Sequence, residues 1–160
     1  MGKFFGDLYD LFEAMFGQGL AQYLWYGPHP ANQINLYWKI GLLSLIISIC
    51  VAVLFYYVIN HPRCNTWWWW SIFLAANSFI NFIVGWQWIG SQNIDVQNCM
   101  SELNELAGGQ YSYAVSPTDY ISFGWANFFV SMFFFIVISF MIKYWSRNCS
   151  SAPFRILKTY

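Results

Sequence analysis

Charge is what this chain has least of. Aspartate, glutamate, lysine and arginine together make up 9% of its 160 residues, where a soluble domain carries about 25%. A chain this short has a large surface relative to its volume, so a larger core cannot absorb the deficit, and lipid must cover much of the outside. The formal net charge is zero, and no basic patch points to a nucleic-acid partner. Histidine is nearly missing: His29 and His61 fall on opposite sides of the three apolar runs described next, so they cannot share a metal or a haem. The cysteines are also scattered. Cys50 lies within a run, Cys64 and Cys149 on one side, and Cys99 alone on the other, which predicts no intrachain disulfide and leaves Cys99 a free thiol or, alternatively, paired with a second chain. There is no Ser/His/Asp set, phosphate loop, metal-ligand cluster or group of convergent carboxylates. The chain therefore reads as a non-enzyme without metal or cofactor. No repeat of domain-building length is visible.

What the sequence has in abundance is apolar and aromatic side chains, 58% and 23% of the residues. Three runs reach the roughly 20 residues that span a bilayer: 36–58, 66–89 and 120–145. They predict an all-α integral membrane protein with three transmembrane helices. Ahead of them, Phe5, Leu8, Phe12, Met15, Phe16 and Leu20 recur at helical spacing, and Gly27-Pro28 closes the pattern. Residues 1–35 thus read as an amphipathic interfacial helix with a Gly/Pro linker. Its polar face is acidic, unlike helices that adhere to anionic lipid, so its phenylalanines suit docking onto other helices or another subunit. The loop 90–119 between the second and third spans is expected to be partly helical, with Val96, Met100, Leu103 and Leu106 as its apolar stripe and Gly108-Gly109 as its stop. Thr118 or Asp119 is the expected cap of the third span. Residues 146–160 form a basic tail.

The aromatics are spaced as well as numerous. Tyr and Trp favour membrane interfaces, where an apolar ring keeps its polar edge wet. Trp67, Trp68, Trp69 and Trp70 lie about 28 Å along a helix from Trp86 and Trp88, and Tyr37 and Trp38 lie about 28 Å from Tyr56 and Tyr57. Trp125 lies about 30 Å from Tyr144 and Trp145. Each span matches a hydrocarbon core of about 30 Å, so these residues are expected to be interface anchors. Four consecutive tryptophans surround a helix, since neighbours point about 100° apart, and a collar at one depth explains them better than a packing seam.

Orientation follows from the basic residues. Arg63, Lys143, Arg147, Arg155 and Lys158 share one side, while all seven acids lie in segments on the other. The positive-inside rule then puts the amino terminus outside and the carboxyl terminus in the cytoplasm of a plasma or inner membrane, or in the matrix for a mitochondrial inner membrane.

Inside the spans no acid occurs. The polar groups there besides hydroxyls are the amides Asn77, Asn81 and Asn127, with Ser78 beside the first pair. Asn77 and Asn81 share one helix face, and Asn81 and Asn127 lie at similar depths, about 12 and 10 Å from the span ends. Two functions fit. Such amides glue helices together, and Gly41, Ser44 and Ser48 in the first span, Ala75 and Ala76 in the second, and Gly124, Ala126 and Ser131 in the third allow close approach. The chain would then be a non-catalytic subunit anchoring or scaffolding a larger membrane complex, its partners the lipid bilayer and other membrane subunits, of the same or a different chain. Alternatively the amides line a pore in a homo-oligomeric ring.

Overall fold

The computed structural model describes residues 2–28, 35–58, 66–106 and 115–145, with Tyr144 and Trp145 described by their backbone alone. It is all-helical: α1 (Gly2–Asp10), α2 (Glu13–Phe16), α3 (Gln18–Tyr26), α4 (Tyr37–Val53), α5 (Trp67–Ser91), α6 (Asn93–Leu106) and α7 (Pro117–Trp145). Helix α4 runs on into a π-helical turn, Leu54–Val58. The three candidate membrane spans are Tyr37–Val58, Trp67–Ser91 and Pro117–Lys143. The tail from 146, Arg63, Cys64 and Gly108-Gly109 lie outside the described residues, as do the side chains of Tyr144 and Trp145.

The third span starts three residues before its expected beginning at 120, and the cap is neither Thr118 nor Asp119. Ser116 precedes Pro117, which suits a first helical position because it has no N–H to lose. The Asp119 carboxylate accepts from the Ser116 N–H at 2.7 Å, and the Thr118 N–H donates to Ser116 Oγ at 3.4 Å. This is a capping box, with the acid reaching back to the cap residue.

Contacts across the spans fix their directions. Asn77 meets Ser131, and Asn81 meets Asn127, so α5 and α7 run antiparallel. Ser44 meets Asn127, and Asn77 bridges Ser48 to Ser131, so α4 and α7 run parallel. One end of the bundle therefore carries Asp119 and the other Lys143.

The amino-terminal segment is three short helices and not the single amphipathic helix its periodicity suggests. The chain leaves helical geometry at Phe12 (φ −109°, ψ 7°) and again at Gly17 (φ 83°, ψ 155°). The second conformation lies in the left-handed half of the map that glycine tolerates and side chains resist. These breaks let α3 fold back so that the Trp25 indole donates to the Asp10 carboxylate at 3.1 Å. The group packs against the bundle near its Asp119 end, α1 on α4 and α7, and α2 on α7.

Helix α6 follows α5 after Gln92 alone. Tyr23 donates to the Gln92 side chain at 3.1 Å and Tyr120 to Asn93 at 2.7 Å, tying α3 and α7 to this corner. Of its expected stripe, Val96 and Met100 are buried, Leu103 is half-buried and Leu106 is exposed; Cys99 is buried beside them.

Candidate functional site

Each span carries two polar residues four apart: Ser44 and Ser48 on α4, Asn77 and Asn81 on α5, Asn127 and Ser131 on α7. Spacing of four keeps a pair on one helix face, and these three faces meet at the centre of the bundle. All six side chains are fully buried. Asn127 holds the upper level. Its Oδ1 accepts from Ser44 Oγ at 2.7 Å and from the Tyr9 hydroxyl, and its Nδ2 donates to the Asn81 carbonyl at 2.6 Å. Asn81 Nδ2 donates down its own helix to the Asn77 carbonyl at 2.9 Å. Asn77 holds the lower level, its Nδ2 shared between Ser48 Oγ at 3.2 Å and the Ser131 carbonyl at 3.1 Å. The result is one hydrogen-bonded lattice joining α1, α4, α5 and α7. Ser78 is buried next to it, and Ser78 Oγ and Asn81 Oδ1 have no protein partner.

Tyr9 is the member that sequence reasoning missed. It is fully buried, stacked between Tyr37 (ring centroids 5.5 Å) and Phe123 (5.6 Å). Burial pushes its phenol pKa up, so the proton stays on the oxygen and is available to Asn127. An apolar stripe of Phe5, Leu8 and Phe12 gives no hint that a hydroxyl on the same helix reaches the bundle centre.

Of the residues expected to dock, Phe5, Phe16 and Leu20 are buried within this chain. Phe5 fills the space above Gly41, where an added Cβ would collide with the ring, and meets Phe134 edge-on at 6.1 Å. Phe16 meets Phe123 at 5.4 Å. Leu8 and Phe12 are half-buried, Phe12 stacking on Phe129 at 5.9 Å. Met15 is exposed, alongside Phe4 and Leu11.

The aromatics expected to anchor the spans divide the same way. Trp38, Tyr57, Trp67, Trp68, Trp69, Trp86 and Trp125 are exposed on the spans, and Trp88 is half-buried. Tyr37, Tyr56 and Trp70 are buried and turn inward, Tyr37 against Tyr9 and Trp70 against Phe135. A collar that surrounds a helix necessarily points some rings at its neighbours.

Among the described residues no group of His, Cys, Asp or Glu is placed to hold a metal ion. Cys99 is a free thiol; burial, followed by the nearby Glu102 carboxylate, pushes its pKa up to about 11. No protein-family model matches the chain, and comparison with curated proteins and with solved structures returned no match.

Proposed function

We propose that this chain is a non-catalytic membrane subunit that anchors or scaffolds a larger membrane complex. The observation that carries this reading is the amide lattice. Polar groups in lipid are costly unless paired, and here Asn77 and Asn127 spend their donors and acceptors within one chain. A body held together from inside can present its outer faces to neighbours without rearranging. Less than half of each span is buried within the chain, and the outward face of α5 includes Ala75, Ala76, Ile80 and Ile83. Helix packing in membranes favours small residues of this kind among larger apolar ones.

The pore reading asks Asn77, Ser78 and Asn81 to line an axis between subunits. Their complete burial among helices of the same chain favours the anchor reading instead.

The test is to solubilise native membranes gently, install a photo-crosslinker at Ile83, and determine the mass of the particle and the partner attached. A fixed-stoichiometry complex with other membrane proteins, and a purified chain that does not conduct in planar bilayers, is the expected result. A self-assembled ring that conducts, with selectivity altered by Asn81→Leu, would overturn it.

A further inference from the structure

The amide lattice leaves two oxygens on α5 unspent. Ser78 and Asn81 are fully buried, yet Ser78 Oγ and Asn81 Oδ1 make no hydrogen bond within the chain. In a low-dielectric interior such groups are costly, and nearly all of them in folded proteins are paired with protein or with ordered water.

The other end of the Asn81 amide fixes where Oδ1 points. Asn81 Nδ2 lies 2.9 Å from the Asn77 carbonyl and 3.4 Å from Asn77 Oδ1. Asn77 in turn needs its own nitrogen for the Ser131 carbonyl at 3.1 Å. Both atoms facing Asn81 are therefore acceptors, so its nitrogen must meet them and its oxygen must turn away. With successive residues about 100° apart, Asn81 lies about 40° round the helix from Asn77, and Ser78 about 60° further in the same direction. Turning away from Asn77 thus carries Oδ1 to the Ser78 side.

That side of α5 faces the seam with α7. Gly85, the next turn along, lies so close to Asn127 that an added Cβ would collide with its side chain. Residues three apart on a helix hold their Cβ atoms about 5–6 Å from each other. One hydrogen bond between oxygens spans about 2.8 Å, and two that meet at a water oxygen reach about 4.5–5 Å. The gap suits one small molecule that accepts from a hydroxyl and donates to a carbonyl. A metal cation fits poorly, since it takes about six oxygens and no span residue between Trp67 and Ser91 is an acid.

We propose that a single water molecule is bound inside the bundle, bridging Ser78 and Asn81. It accepts from the Ser78 hydroxyl and donates to Asn81 Oδ1. Ser78 thereby joins the lattice through Asn81, whose amide nitrogen and carbonyl already hold Asn77 and Asn127. The site lies at the middle of the span, eight residues from Trp70 and eight from Trp86, about 12 Å from either level. It belongs to the bundle of one chain and does not depend on which partners surround it.

The test is diffraction from the full chain crystallised in a lipidic mesophase, at a resolution that shows ordered water. A spherical density peak within hydrogen-bond distance of both Ser78 Oγ and Asn81 Oδ1 is expected, and Ser78→Ala should lose it. Thermal unfolding in detergent gives a second readout. Ser78→Ala and Asn81→Leu should each lower Tm by a few degrees, and the double variant should lose clearly less than the two losses added. The bond from Asn81 to the Asn77 carbonyl is lost with or without Ser78, so the shortfall reports the bridge. Wild-type diffraction decides the matter even where a variant does not fold. Absence of the peak, a direct Ser78–Asn81 hydrogen bond in its place, or strictly additive losses in Tm overturns the proposal.

Discussion

At the scale of single residues, Asn127 is the position on which most depends. Its amide takes two hydroxyl donors and gives one bond across the seam. Tyr9→Phe removes one of the two donors and leaves Oδ1 with Ser44, so the loss should be about 0.5–1 kcal/mol. Asn127→Leu strands the Tyr9 and Ser44 hydroxyls and removes the amide bond across the seam to the Asn81 carbonyl, and should cost about 2–4 kcal/mol. Thermal unfolding in detergent, followed by circular dichroism, should rank the two variants in that order. Cys99 offers a second residue-scale test. Its thiol pKa is raised from the ordinary value of 9.0 to about 11, and only the thiolate reacts. Near pH 8 the folded chain should therefore alkylate about a hundredfold more slowly than the unfolded one, and the rate should climb as pH approaches 11. Stopped alkylation on a variant retaining only this cysteine, with and without denaturant, measures the ratio.

At the scale of elements, the amino-terminal helices are held by a socket as well as by a hydrogen bond. Gly41 leaves room for the Phe5 ring, and any larger side chain there must displace it. Gly41→Leu should detach α1 while leaving the three spans assembled, because the lattice of Asn77, Asn81 and Ser131 does not involve α1. Proteolysis at Lys3 should accelerate at least tenfold, with little change in helicity.

The elements were unequally legible in the sequence. The spans announce themselves through apolar length, and α6 through its stripe. The lattice was half visible: the amides stood out, while Ser44, Ser48 and Ser131 looked only like small residues permitting close approach, although their spacing matches that of Asn77 and Asn81. The breaks at Phe12 and Gly17 were hidden because a helical period continues through them by coincidence of spacing. Tyr9 could not be found from local pattern, since its role depends on a partner 118 positions away.

At the scale of the whole molecule, the outward-facing rings of Trp38, Trp67, Trp68, Trp69, Trp86 and Trp125 mark two levels separated by about 28 Å. A bilayer matching that separation should hold the protein best, because mismatch costs fractions of a kcal/mol per Å. Reconstituted into phosphatidylcholines of increasing acyl length, the chain should show its highest unfolding temperature where the hydrocarbon core is about 28–30 Å thick. The optimum should become less sharp in a variant with Trp67, Trp68 and Trp69 replaced by leucine.

The π-helical turn at Leu54–Val58 has a consequence for how this chain tolerates changes in length. A π turn holds one residue more than the α-helical path it replaces, and here it brings consecutive Phe55 and Tyr56 both to the inside. Deleting one residue within this turn should let it relax to α-helix without disturbing anything above it. Deleting one residue between Ser44 and Ser48 would instead rotate everything beyond by about 100°, carrying Ser48 away from Asn77. The first span thus has one segment where its length can be edited and another where it is fixed by the amides it serves.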